Sequence, residues 1–184
     1  MTAADERQLI QRAQEGDHGA YRVLVERHMK QAYRLAFSFV NEHHRAEDVA
    51  QEAFVRAYNG LQGFRGEAGF GTWLYRIVTN LSLNHLKQMK AAAEREVVMD
   101  VIPDSPAASE TPGVRQELRE QLEKALHQLP TMQRAVVILR HLDGLSTKQV
   151  SAILNCSEGT VKTHLFRGLK KLKSTLAYVQ EELE

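Results

Sequence analysis

A helix, a tight corner and a second helix can be traced in residues 145–173, and this stretch constrains the fold more than any other. Ser146 followed three residues later by Gln149 is a capping box, a side-chain pair that starts many helices. Asn155 then breaks the pattern, and Ser157 is suited to cap a second helix. Apolar residues next recur at the spacing of one buried helix face, at Val161, Leu165, Leu169 and Leu172. We therefore predict two short helices joined by a corner.

The other face of the second helix is cationic. Five basic residues and no acidic one lie in the range 159–173. Phe166 lies off the buried stripe, where an exposed aromatic ring suits contact with a thymine methyl group or a sugar. This pattern is typical of a helix-turn-helix whose second helix reads the DNA major groove. A solvated charged face is the simpler alternative, but the two caps and the absence of interleaved acids favour DNA.

The net charge of +1 over 184 residues would argue against nucleic-acid binding if the charges were evenly spread. Residues 1–90 carry 12 basic and 10 acidic side chains, residues 91–113 carry one and five, and residues 114–184 carry 11 and 8. Three of the four prolines also lie in the middle segment. We therefore predict two domains, 1–90 and 114–184, joined by a flexible acidic linker, 91–113.

The composition also excludes several classes of protein. The single cysteine, Cys156, rules out a disulfide within one chain and is consistent with a reduced, cytoplasmic setting; its place at the corner favours packing. The N-terminus is charged and no apolar run reaches the length of a membrane span, so we expect neither a signal peptide nor membrane insertion. The histidines are scattered, so we expect no metal, no cofactor and no catalytic site.

The N-terminal part has helical periodicity from Asp5 to about Asn41, interrupted by Gly16, Asp17 and Gly19. We predict a helix, a turn and a longer helix that Asp17 caps. A third helix follows, with an inward stripe of Val49, Ala53, Phe54, Ala57 and Leu61. Its outward patch is Glu47, Asp48, Gln51 and Glu52. From the residues alone, carboxylates that favour the start of a helix explain this patch sufficiently.

A glycine-punctuated loop, residues 60–71, carries Phe64, Arg65 and Phe70, but it lacks the lysine and hydroxyl of a phosphate loop. On the helix after it, polar side chains fall on one line: Arg76, Asn80, Asn84 and Lys87. Together with Trp73 and the loop aromatics, they offer the stacking planes, amides and cations that hold unstacked bases. The alternative, core aromatics beside ordinary surface asparagines, is equally compatible with the residues.

Beyond the linker, helical spacing resumes at Leu118, Leu122, Ala125, Leu126 and Leu129. Pro130 suits the first turn of a further helix that stops at Asp143 and Gly144. The apolar positions of that helix are Ala135, Val136, Leu139 and Leu142. We expect these helices to form the core that supports the predicted helix-turn-helix. The whole chain is therefore predicted to be an all-α protein of two small domains.

Particular runs of the chain resemble a known family. DVAQEAFVRAY, FRGEAGFGTWLYRI and NLSLNHL look like the second conserved region of bacterial sigma factors of the extracytoplasmic-function (ECF) group, in the sigma-70 family. DGLSTKQVSAILNCSEGTVKTHLFRGLKKL is similar to their fourth region. The resemblance covers nearly the whole chain except the linker, and no segment corresponds to the third region of housekeeping sigma factors. It implies a non-enzymatic protein that binds core RNA polymerase and directs initiation at promoters.

The resemblance implies roles for three groups of residues. Those expected to dock on the clamp coiled coil of the largest polymerase subunit are Asp48, Gln51 and Glu52. Those expected to open the minus-10 element and hold its non-template strand are Phe64, Arg65, Trp73, Tyr75, Arg76, Asn80, Asn84 and Lys87, with a base flipped toward Phe64 and Asn80. Those expected to read the duplex minus-35 element are Ser157, Thr160, Lys162, Thr163, His164, Phe166, Arg167 and Lys170. Leu83 stands where relatives often carry a basic residue, so we expect lighter phosphate contact there.

The partners implied are core RNA polymerase, through its clamp coiled coil and flap, and promoter DNA in both duplex and single-stranded form. An anti-sigma factor, often membrane-anchored in this group, is implied as well. The alternative is a stand-alone helix-turn-helix transcription regulator, which would share the last third of the chain. Such a regulator would bind duplex DNA unaided and would need neither the acidic patch nor the aromatic loop.

Overall fold

A computed structural model of the chain describes residues 3–95 and 114–181, and all regular structure in these two ranges is helical. The helices are α1 (Ala3–Gln14), α2 (His18–Val40), α3 (His43–Gly60), α4 (Phe70–Arg95), α5 (Val114–His127), α6 (Thr131–Val137), α7 (Thr147–Leu154) and α8 (Glu158–Glu181). A 3₁₀ turn, Leu61–Gly63, follows α3, and a π-helical turn, Ile138–Leu142, follows α6. The predicted all-α class is confirmed.

Helices α1 to α3 and most of α4 form one compact unit. Each helix contributes an apolar face to its core, including Leu9, Ile10, Leu24, Leu35, Phe39, Val49, Phe54, Leu74 and Val78. Asp17 caps α2 as predicted, because its carboxylate accepts a hydrogen bond from the Ala20 amide at 3.0 Å. Asn41, in the left-handed conformation with φ of 51°, ends α2, and Glu42 then caps α3.

Helices α5, α6 and α8 enclose a second core, formed by Ala125, Leu126, Leu129, Val137 and Leu172. The predicted capping box at the start of α7 is present. The Ser146 amide donates to the Gln149 side chain at 2.8 Å, and the Gln149 amide donates to Ser146 Oγ at 3.2 Å. Asn155, with φ of 50°, makes the corner between α7 and α8.

Two predicted core positions in this unit are wrong. Leu169 is 38% exposed, and the neighbouring Gly168 is buried instead. A side chain at 168 would meet Val137, because an added Cβ would lie 2.9 Å from its Cγ2 atom. Leu142 is 52% exposed, since the π-helical turn changes the rotation per residue and carries this position off the buried face.

Helix α4 continues to Arg95 and therefore extends into the segment predicted as a linker. Residues 96–113, the rest of that segment, lie outside the described residues. Leu118 was predicted to belong to the apolar stripe of α5, but the environment of its side chain is likewise not described. The proposed domain boundaries therefore stay a prediction.

Candidate nucleic-acid interface

The polar line of α4 faces solvent. Arg76, Asn80, Asn84 and Lys87 are all exposed, whereas Leu74, Val78 and Leu81 on the opposite side are buried. This division follows from the helix period, which brings residues three or four positions apart onto one face. The four side chains therefore form a continuous ridge of two cations and two amides, long enough to follow several nucleotides.

Three aromatic rings meet where the loop enters α4. The Phe64 and Trp73 ring centroids are 4.9 Å apart, and the Phe70 ring lies edge-on to Phe64 at 6.2 Å. Phe70 was predicted to lie in the loop, with its exposure left open; it is the first residue of α4 and is fully buried, as the core alternative requires. Phe64 and Trp73 remain half-buried, so their rings are supported from below and still accessible.

The loop between α3 and α4 is shaped by two glycines. Trp73 packs over Gly60, where an added Cβ would lie 3.3 Å from the indole ring. Gly66 has φ of 73°, a left-handed conformation that other residues rarely adopt. Arg65 between them is exposed, and Tyr75 on α4 is half-buried.

On α8, the predicted reading residues divide into two sets. Ser157 caps the helix, accepting from the Thr160 amide at 3.0 Å, and the two hydroxyls lie 2.8 Å apart. The residues exposed further along are Lys162, Thr163, Phe166, Arg167 and Lys170, while His164 is half-buried. Phe166 is 70% exposed, as expected for a ring with no role in the core.

The acidic patch of α3 is not explained by the start of the helix. Because α3 begins at His43 and is capped by Glu42, Glu47 and Asp48 lie beyond its first turn, where the dipole effect has faded. Asp48, Gln51 and Glu52 are all exposed. Glu52 pairs with Arg56 at 2.6 Å, whereas Asp48 makes no ion pair among the described residues.

Two family models match the chain, sigma-70 region 2 at residues 24–91 and sigma-70 region 4 at residues 119–172. The RNA polymerase sigma-H factor of Pseudomonas aeruginosa is 34% identical, over 96% of each chain. The ECF RNA polymerase sigma factor SigW of Bacillus subtilis is 33% identical, over 91% of this chain and 94% of its own. The chain belongs to the ECF group of sigma-70 factors.

The fold agrees with that assignment. A solved structure of CnrH in complex with the cytosolic domain of CnrY is similar with a TM-score of 0.72 at 27% identity, and the match covers 95% of this chain and 98% of that one. As an ECF sigma factor, the protein directs promoter-specific transcription initiation. None of the helices in the two described ranges has the length and apolar character needed to cross a membrane.

Two residues beside these surfaces, Val55 and Gln14, were not predicted from the sequence. Val55 is 59% exposed and lies within one helical turn of Gln51 and Glu52 on α3. Its position outside the inward apolar stripe of α3 is the sequence signal that would have indicated its exposure. Gln14, at the end of α1, donates hydrogen bonds to the main-chain carbonyls of Leu61 and Phe64. No local pattern indicates this, because the bonded residues are about fifty positions apart.

Proposed function

We propose that this sigma factor opens the minus-10 element with the Phe64 loop and the polar ridge of α4. The observation that carries the proposal is the combination of a half-exposed Phe64 ring, backed by Trp73, with the exposed side chains of Asn80 and Asn84. A base that leaves the duplex costs a few kcal/mol, and stacking on an aromatic ring returns roughly 1 to 3 kcal/mol. Hydrogen bonds from the side-chain amides of Asn80 and Asn84 would supply the remaining free energy.

The cations of the same surface would hold the backbone of the melted strand. Arg76 and Lys87 lie at the two ends of the ridge, and Arg65 is exposed on the loop. Neutralising phosphates is independent of base identity, so these side chains would fix the position of the strand without selecting its sequence. Selection would then rest on the flipped base, which Phe64 stacks and Asn80 hydrogen-bonds.

Helix α8 would read the minus-35 element as duplex. Lys162 and Lys170 suit phosphate contacts, and Arg167 suits a bidentate contact with guanine, worth about 1 to 3 kcal/mol of discrimination. Thr163, Phe166 and His164 would contribute contacts to base edges and methyl groups. Ser157 and Thr160 would act from the N-terminus of the helix, where backbone amides favour phosphate.

The exposed face of α3 would dock on the clamp coiled coil of RNA polymerase. Asp48, Gln51 and Glu52 supply charge and hydrogen bonds, and Val55 would supply an apolar contact among them. The C-terminal unit would contact the polymerase flap, as family resemblance implies. An anti-sigma factor is a further expected partner; in support, the similar protein CnrH was solved with the cytosolic domain of CnrY.

Run-off transcription with core RNA polymerase tests the proposal. We expect the protein to bind core polymerase and to initiate at promoters selected from genomic fragments by the holoenzyme. Asn80→Ala should impair promoter opening by about tenfold, as loss of a roughly 1 to 1.5 kcal/mol contact predicts, and should leave polymerase binding intact. Arg22→Ala, on the exposed surface of α2, is the matched control.

Two results would contradict this function. Equal loss of polymerase binding and opening in Asn80→Ala would show that the helix is structural. Tight, sequence-specific binding to duplex DNA without polymerase, combined with no binding to core polymerase, would favour the stand-alone regulator instead.

A further inference from the structure

We propose that Gln14 of α1 is a positioning residue that latches the Phe64 loop in the shape that receives the flipped base. This inference rests on the proposed role of the loop in promoter opening. It assigns a part to α1, which lies before residue 24 and therefore outside the matched region 2.

The latch consists of hydrogen bonds between side-chain amides and main-chain carbonyls. Gln14 Nε2 donates to the carbonyl oxygen of Leu61 at 2.8 Å and to that of Phe64 at 2.9 Å. Gln62, between them, donates from its own side chain to the Gln14 carbonyl. The two N–H groups of the Gln14 amide therefore bind carbonyls at the start of the 3₁₀ turn and directly after it. The second of these carbonyls belongs to Phe64 itself.

Helix α1 is a firm support for such a latch. Ile10 and Ala13 are buried, and the Glu6 carboxylate lies 3.2 Å from Arg27 and 3.3 Å from His28, both on α2. A charge pair shielded in this way is screened less by salt than one on the open surface. Movement of the loop relative to α2 would therefore break the amide bonds before it displaced α1.

The loop needs an external support on this side. After the 3₁₀ turn, residues 65–69 are all exposed and include two glycines, which lower the barrier to backbone motion. The Phe64 ring rests on Trp73 and Phe70, while the Phe64 carbonyl is held by Gln14. Holding a binding element in its bound conformation removes the ordering cost from the binding step. Gln14 would thus raise the rate of base capture without touching DNA.

Gln14→Glu tests the latch. The substitution keeps the size of the side chain but replaces the donor with a carboxylate oxygen, which repels the two carbonyls. Gln8→Glu, on an exposed position of the same helix, carries the same charge change and is the control. We expect Gln14→Glu holoenzyme to open promoters about tenfold less, equivalent to ~1.4 kcal/mol, with core binding within twofold of wild type.

Two further readouts separate positioning from general stability. Trp73 is the only tryptophan in the chain, and its ring contacts Phe64, so its fluorescence reports on the loop. Acrylamide should quench Trp73 more readily in Gln14→Glu than in wild type or Gln8→Glu. Gln14→Lys, which has a donor at this position where Gln14→Glu has none, should open promoters nearly as well as the wild type. Gln14→Met, which removes the donors without adding charge, replaces Gln14→Glu if the latter does not fold.

Each outcome is informative. Normal opening and normal quenching in Gln14→Glu, with defective opening in Phe64→Ala, would overturn the latch and leave base capture by the loop intact. Normal opening in Phe64→Ala would overturn the role of the loop itself. Parallel loss of core binding and opening in Gln14→Glu would show that Gln14 only stabilises the fold, and would also overturn the inference.

Discussion

Helix α8 and the Phe64 loop are both expected to contact promoter DNA, but they are built differently. The features of α8 come from one continuous segment: its cap joins Ser157 to Thr160, and its exposed cations follow within the next three turns. The Phe64 site combines α1, the 3₁₀ turn and α4. The Gln14 hydrogen bonds in it join residues about fifty positions apart, and the Phe64 ring also packs on Trp73 of α4.

The difference matches the state of the DNA that each surface is proposed to bind. Duplex DNA presents a regular groove, and a preformed helix with outward side chains fits it without rearrangement. A melted strand must be captured base by base, and this requires a pocket whose walls come from several directions. A locally specified helix therefore suits the minus-35 element, whereas a site assembled by tertiary contacts suits the minus-10 element.

The largest expected effects are separate losses in two variants, one on α8 and one on the Phe64 loop. Arg167→Ala should weaken binding to a minus-35 duplex by about 1 to 3 kcal/mol and relax base preference, with opening of the bound promoter unchanged. Phe64→Ala should reduce opening by a similar amount and leave duplex affinity unchanged. Holoenzyme gel shifts and permanganate footprinting measure the two steps. The contrast between the surfaces fails if each variant loses both activities.

A second prediction concerns how α8 is held against α6. Gly168→Ala would gain about 1 kcal/mol of helix propensity but would lose roughly 1 to 3 kcal/mol, because the new methyl group meets Val137. The two terms together predict a net destabilisation of up to roughly 2 kcal/mol in thermal or urea unfolding. Gly159→Ala, in the exposed first turn of the same helix, is the control and should be neutral or stabilising. Equal stability of the two variants would show that the close approach at 168 is unimportant.

The smallest expected effect is a difference in pH dependence between the Asp17 cap of α2 and the Ser157 cap of α8. Hydrogen bonds from the Ala20 amide and from Arg12 lower the pKa of Asp17 below its usual 3.8. The stabilisation is therefore complete above pH 3.8 and is lost as the pH falls through the folded pKa. The Ser157 cap of α8 does not titrate. In NMR titrations, the Ala20 amide signal should move in acid while the Thr160 signal stays; Asp17→Asn should abolish the first change. Parallel movement of both signals would point to global acid unfolding instead.

Much of the fold follows from local patterns. The Asp17 cap, the Ser146 capping box and the exposure of Phe166 and of the α4 ridge were all predicted and are present. Each depends on residues within about one turn of each other, so the helix period alone determines their geometry. The family assignment likewise rests on short runs of residues; the family models confirm the sigma-70 family, and the curated relatives confirm the ECF group.

Local sequence patterns predicted the helical segments, the start of several helices and the exposed polar line of α4, but they misplaced Leu142 and Leu169. Three features emerge from packing alone: the burial of Phe70, the approach of Gly168 rather than Leu169 to α6, and the hydrogen bonds of Gln14 to the loop. The two kinds of feature differ in the sequence separation of the residues that make them. Caps and helix faces arise between residues three or four apart, whereas the approach of two helices and the latch on a loop depend on packing across the whole unit.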